Sequence, residues 1–126
     1  MYSIRFDARE RVLHLTLSGF WTIATLALFS AEMLARGTAL RLGRRPYGVL
    51  SDSREFPIQS PAVAKGFERI MARGAEFNLG PTAVVVASML GKLQAERSLA
   101  SGRARVFLDE GEARAWLIAE LARAPA

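Results

Sequence analysis

Thr82-Ala83-Val84-Val85-Val86-Ala87 carries no charge and no polar side chain beyond its first residue. Successive residues of a strand point to opposite faces, so a β-branched run that is apolar at every position must be covered on both sides. Asn78-Leu79-Gly80-Pro81 breaks the chain just before it, and Ser88 can cap a helix just after it. A central strand entered from a break and left into a helix is the unit of a mostly parallel, helix-covered sheet.

The same rhythm continues upstream. Ser60-Pro61 places a cap serine before a first-turn proline. The helix it opens has one narrow apolar stripe, Val63, Phe67, Ile70, Met71, Gly74 and Phe77, which core packing accounts for. Before it, Tyr47-Gly48-Val49-Leu50 reads as a short apolar strand ending in the polar turn Ser51-Asp52-Ser53-Arg54. Downstream of the central strand, a weaker helix is expected to turn Met89, Leu90 and Leu93 inward and Lys92, Gln94, Glu96 and Arg97 outward, stopping at Gly102. Ala104 to Leu108 is the last strand. Asp109 and Glu112 have capping-box spacing, and the helix they open buries Ala113, Trp116, Leu117 and Leu121 before a frayed Ala124-Pro125-Ala126.

The first third of the chain differs. Tyr2, Ile4 and Phe6 alternate with Ser3, Arg5 and Asp7, and Leu13, Leu15 and Leu17 with Val12, His14, Thr16 and Ser18. Two half-buried strands joined only by the turn around Ala8-Arg9-Glu10 are most simply antiparallel neighbours. After Gly19, Thr22 caps a helix expected to run to about Arg36 and to close at Gly37. Its one polar strip is Thr25, Glu32 and Arg36, flanked by Leu28 and Phe29, with Ile23, Leu26, Ala27, Met33 and Leu34 opposite. A helix apolar around most of its circumference needs cover on more than one side. A sheet covers one; a second subunit, an apolar ligand or an overlying loop would cover the other.

The resulting order is ββαβαβαβα. The expected fold is α/β: a single domain over residues 1–126, with a mostly parallel sheet of about five strands, an antiparallel N-terminal strand and right-handed crossovers. No internal repeat or linker divides the chain.

Composition narrows the function. The chain has 126 residues, 51% hydrophobic and 23% charged, ordinary for a globular domain and unlike a disordered or low-complexity one. Cysteine is absent, which excludes disulfides, thiolate catalysis and cysteine metal sites. The only histidine, His14, has no second histidine or cysteine to share an ion with, so it reads as a sheet-face residue and no metal or cofactor is expected. No glycine-rich phosphate loop and no nucleophile elbow is present. Asp52 with Glu55 could form a carboxylate pair, but an aspartate at a strand end more simply accepts backbone N–H bonds. The expectation is therefore no enzymatic activity.

The net charge is +5, and fifteen of the seventeen basic residues are arginine. The densest patch, Arg36, Arg41, Arg44 and Arg45, sits where cations complement a helix C-terminus, and no aromatic residue interleaves with it. Nucleic acid is not an expected partner. Val12 to Ala31 is twenty residues without Asp, Glu, Lys or Arg, near membrane-spanning length. Its first half alternates with period two and Ser18-Gly19 interrupts it, so it reads as two elements, not a transmembrane segment. The N-terminus does not open like a signal peptide, and a cytoplasmic location is expected.

Gly19 with Trp21-Thr22 after the second strand, Asp52 ending the third, Val84-Val85-Val86 in the fourth, and Val106-Phe107-Leu108-Asp109-Glu110-Gly111-Glu112-Ala113 followed by Trp116-Leu117 together carry a resemblance. The element order resembles the STAS fold of anti-sigma-factor antagonists, and more narrowly the bacterial SpoIIAA-like, STAS/SEC14-type small proteins, over essentially the whole chain. The resemblance implies action through binding, and for many small members no established activity. In antagonist relatives an Asp-Ser-Ser-Gly-like turn carries a phosphorylated serine. Asp52-Ser53-Arg54-Glu55 keeps the aspartate and Ser53 but lacks the second serine and the glycine, so Ser53 is a candidate phospho-site without the family pattern, with Arg54 beside it to meet a phosphate.

Open α/β sheets bind ligands at the carboxyl ends of their strands. That edge would gather Gly19, Phe20, Trp21, Ser51, Asp52, Ser53, Ser88 and Asp109. The candidate partner or ligand surface is accordingly Phe20, Trp21, Leu28, Phe29, Ser51, Asp52, Ser53 and Arg54. Phe20-Trp21 is expected to act either as an interface anchor or as a hydrophobic staple on the first helix. The expected function is a non-enzymatic binding or regulatory domain working through protein contacts, as a homodimer seamed by the first helix. The alternative is a carrier of a small apolar or amphipathic ligand whose acidic end meets an arginine.

Overall fold

The computed structural model describes residues 1–43, 45–77, 80–98 and 103–123. Arg44, the Asn78-Leu79 break, the side chain of Phe77, the Gly102 helix stop and the Ala124-Pro125-Ala126 tail lie outside the described residues. The elements are β1 (Tyr2–Asp7), β2 (Val12–Ser18), α1 (Ile23–Leu42), β3 (Gly48–Glu55), α2 (Pro61–Phe77), β4 (Thr82–Val85), α3 (Met89–Ser98), β5 (Ala104–Phe107) and α4 (Glu110–Arg123). The order ββαβαβαβα is the expected one.

The strands form one sheet in spatial order β1-β2-β3-β4-β5. β1 runs antiparallel to β2, with Ile4 opposite Leu15, and the other pairs are parallel. Leu13, Val49, Thr82 and Ala104 lie in one row across four strands. Each parallel crossover steps the same way, and right-handed crossovers then put α1, α2 and α3 on one face. α4 doubles back onto the other.

β4 shows why its run is apolar throughout. Ala83 and Val85 join Val12, Leu50 and Phe107 under Ala113 and Leu117 of α4. Val84 and Val86 join Val106 on the opposite face, against Ala95 of α3. The larger core lies between α1, α2 and the β2 leucines: Leu13, Leu15, Leu17, Val49 and Val63 surround Trp21, Leu26 and Phe29. The caps are as expected: Thr22 Oγ1 accepts from Thr25 N at 3.1 Å, Ser88 Oγ from Gly91 N at 3.1 Å and Asp109 Oδ2 from Glu112 N at 2.9 Å.

Several expectations are corrected. α1 does not close at Gly37 but continues to Leu42, with Gly43 as its C-cap. Thr38 to Leu42 has no helix breaker, and Leu40 is packed against the core, so tertiary contact carries the helix past one glycine. Ser51 to Glu55 is not a turn. β3 is the middle strand and those polar residues complete its ladders, Ser51 opposite Leu15 and Val84, Asp52 opposite Thr16 and Val85. In α3, Met89, Leu90 and Leu93 point outward. A Cβ on Gly91 would stand 3.7 Å from Val86 Cβ, and Ala95 packs on the same strand pair. The smallest side chains thus set the face that approaches the sheet.

By length and a mean hydropathy of 1.3, α1 is the one helix among the described residues long and apolar enough to cross a membrane, and 11% of that stretch is buried in the fold. The buried part is Leu26 and Phe29.

Candidate functional site

The carboxyl-end edge holds the residues expected to form the site, but it divides them. Gly19 turns with φ +74°, a left-handed conformation that glycine adopts without strain. The next two residues then go opposite ways. Trp21 is 5% exposed and sits among Tyr2, Phe29, Phe56 and Phe67, with ring centroids 5.0–6.1 Å away. Its indole N–H donates to Ser18 O at 3.1 Å, and its backbone N–H donates to Gln59 Oε1 at 2.7 Å. Phe20 is 79% exposed. Trp21 and Phe29 (fully buried) are therefore core residues and leave the candidate surface, while Phe20 and Leu28, 65% exposed, remain on it.

Ser51 to Arg54 also separates by face. Ser51 is buried, and its hydroxyl lies 3.1 Å from that of half-buried Ser53. Asp52 and Arg54 share the opposite face. Arg54 donates from Nε to Asp52 Oδ1 at 2.9 Å and from Nη2 to Oδ2 at 2.8 Å, and Nη2 also reaches Glu110 Oε2 at 3.1 Å. These hydrogen bonds hold the Asp52 carboxyl below the usual carboxylate range. Arg54 is thus committed to two carboxylates on the far side of the strand from Ser53, not placed to meet a phosphate there. Asp52 and Glu55 do not act together: Asp52 is engaged by Arg54, and Glu55 is exposed.

A cavity among the described residues opens toward the other end of the sheet. It measures about 970 Å³ and lies between α1, α2 and the sheet, reaching the amino ends of β3, β4 and β5 at Tyr47, Thr82 and Ala104. Its floor is the row Leu13, Val49, Thr82 and Ala104. Its origin is visible in the two helices above. Near their first halves α1 and α2 close tightly, because the Leu26 side chain occupies the place where a Cβ on residue 66 would stand. Phe29 stacks on Phe67 with ring centroids 5.8 Å apart. Farther along, both helices offer glycine to the gap. A Cβ on Gly74 would meet nothing within 4 Å, and one on Gly37 only the Tyr47 hydroxyl at 3.9 Å. Met33, Leu34 and Ile70 complete the apolar walls.

Charge enters this cavity unevenly. Arg69, Arg73 and Arg103 line it, with Glu68 and Glu76 as the acidic members. Arg69 and Arg73 form no ion pair among the described residues. The C-terminal ends of α1 and α2 favour cations, so an anion here must be held by guanidinium groups. Burial pushes the Tyr47 phenol above its ordinary value, which keeps it a neutral hydroxyl. Of the arginine patch at the end of α1, Arg36, Arg41 and Arg45 are exposed, and none lines the cavity.

Sequence reasoning missed this site because it looked for polar chemistry at strand ends. The signal was present in Gly37, Gly66 and Gly74, but which glycines face one another depends on how two helices cross. It also set His14 apart for want of a histidine or cysteine, whereas the fold brings Asp7 and Glu10 to it, with one donor atom from each residue within 4.8 Å of the others. Burial, then Arg5, holds the His14 imidazole below its ordinary pKa.

No protein-family model matches the sequence, and no curated protein matches it significantly. Among solved structures, the chain is similar to an uncharacterized protein from the DUF3478 family with a SpoIIAA-like fold, from Shewanella loihica PV-4. The identity is 16% over 93% of this chain and 92% of that one, with a TM-score of 0.67. With its five-stranded mixed sheet and element order, this chain has a SpoIIAA-like α/β fold, as the resemblance in its sequence implied.

Proposed function

We propose that this chain is a non-enzymatic binding protein that holds a small amphipathic ligand in the α1–α2 cavity. The apolar body would lie over Leu13, Val49 and Met33, with an acidic end toward Arg69, Arg73 and Arg103. The observation that carries this reading is the cavity itself. Its volume of about 970 Å³ falls in the range of roughly 300–1,000 Å³ typical of small-molecule sites. Its walls are mostly apolar, with polar groups at a few points, and no histidine is among the described lining residues.

The test is the native mass of gently purified protein compared with its denatured mass, followed by titration with a fluorescent fatty acid. A reproducible excess of a few hundred daltons, on the order of a pocket-sized ligand, supports the reading. Thr38→Trp, which fills the cavity from α1, should abolish fatty-acid binding. Arg73→Glu should weaken a fatty acid more than the corresponding fatty alcohol. Absence of any excess mass together with no fatty-acid binding would exclude the carrier role.

A second reading rests on the exposed side of α1, where Leu28 is more than half exposed, as are Ile23 and Leu34 at the rim of the cavity, and where Phe20 just before the helix is exposed too. A second copy of this chain, related by two-fold symmetry, would set this face against itself. Leu28→Glu should then convert dimers to monomers. Retention of the dimer by that variant would move the seam elsewhere.

A further inference from the structure

We propose that Asp7, Glu10 and His14 form a binding site for one divalent transition cation of the zinc class, on the face of β1–β2 that turns away from the cavity. The three residues come from the end of β1, the turn, and the middle of β2. One donor atom from each lies within 4.8 Å of the other two. Donors sharing a tetrahedral cation at ~2.1 Å each stand roughly 3.4 Å apart, so side-chain rotation that draws the three donors closer completes the set.

A second observation points to a ligand independently of that clustering. The Nε2 atom of His14 is buried and has no hydrogen-bond partner among the described residues. A buried ring nitrogen without a partner is rare in native proteins, and coordination to a cation is one way to satisfy it. The carboxylates are also only half used. Asp7 accepts the backbone N–H of Arg9 at 2.9 Å and of Glu10 at 3.0 Å, both on Oδ1. Glu10 accepts from Arg114 on Oε2. Asp7 Oδ2 and Glu10 Oε1 accept no hydrogen bond from the described residues. Each acid therefore spends one oxygen on the fold and keeps the other.

The donor set decides the class of ion. One imidazole nitrogen with two carboxylate oxygens suits zinc, cobalt or nickel, with water completing the shell, whereas magnesium and calcium prefer oxygen alone. Arg5, opposite His14 in the β1–β2 register, and Arg114 on Glu10 oppose a cation by charge. The site thus selects through its nitrogen donor rather than through net negative charge.

The experiment uses the tag-free full chain, stripped with a chelator and titrated with zinc chloride by calorimetry and with cobalt chloride by visible absorption. Because the chain has one histidine, its ring signals in NMR spectra are unambiguous. The expected result is uptake of one equivalent, a shift of the His14 ring resonances, and visible cobalt bands, all reversed by chelator. His14→Gln and Glu10→Gln should each weaken uptake roughly tenfold or more, with circular dichroism confirming that both variants fold. Asp7 is left intact because it holds the turn. No uptake, or uptake unchanged in folded His14→Gln, would overturn the assignment. Neither outcome bears on the cavity, which uses none of these residues.

Discussion

Arg54 grips Asp52, two residues earlier on β3, with Nε 2.9 Å from Oδ1 and Nη2 2.8 Å from Oδ2. A guanidinium fork on both oxygens of one carboxylate is the geometry that gives charge-assisted bonds direction as well as strength. Because Glu110 Oε2 takes the same Nη2 at 3.1 Å, the pair also ties the end of β3 to the start of α4. The stretch expected from the sequence to be a turn is here a cross-linked strand.

That pair makes stability depend on acid. The Asp52 pKa is lowered in the folded state, chiefly by the Arg54 hydrogen bond. Its contribution is therefore present above the unfolded carboxylate value near pH 4 and is lost as pH falls through the lower folded value. The pair is partly exposed, so solvent screening keeps the effect small. Asp52→Asn should be slightly less stable than wild type at neutral pH, and the difference should shrink toward zero as urea melts are repeated below pH 4.

Gly66 and Gly74 lie on the same helix and should respond oppositely to added side chains. A Cβ at residue 66 collides with Leu26, so Gly66→Val should cost about 1–3 kcal/mol as an overpacked contact. Leu26→Ala should recover part of that loss in the double variant, a coupling that denaturant melts of the four proteins would measure. At Gly74 the space is open. Gly74→Ala should raise stability by about 0.5–1 kcal/mol through helix propensity.

Phe20 and Trp21 are adjacent in sequence and differ completely in burial. Trp21→Ala removes the centre of an aromatic cluster and should cost about 3–5 kcal/mol. Phe20→Ala should change stability by no more than about 0.5 kcal/mol. If Phe20 extends a dimer seam on α1, its variant should weaken dimerisation measured by analytical ultracentrifugation while leaving the melt unchanged.

How much of this was legible in the residues depended on the range of the cause. The alternation in Tyr2–Asp7 and Val12–Ser18, the unbroken apolar run beginning at Thr82, and the Asp109 cap with Ala113 and Leu117 behind it are local patterns, and each element formed where its pattern lies. Ser51 to Glu55 looked like a turn because its side chains are polar. Its strand conformation comes from pairing with β4 at Ser51 and Asp52 and with β2 as far as Glu55, which no reading of those five residues contains. In α3 the largest apolar groups, Met89, Leu90 and Leu93, suggest an inward face but point outward, because the sheet accepts only the close approach that Gly91 and Ala95 allow.

The sequence by itself determined the α/β class, the order of elements and the side of each N-terminal strand that is buried, because these follow from periods of two and of 3.6 along a single segment. Only the tertiary structure decided where the open space and the gathered side chains lie. Gly37 and Gly74 leave a cavity because two helices cross at a particular height, and His14 meets Asp7 and Glu10 because a turn folds one strand onto the next. A gap, or a cluster of donors, is a property of segments brought together, so it has no periodic trace in any one of them.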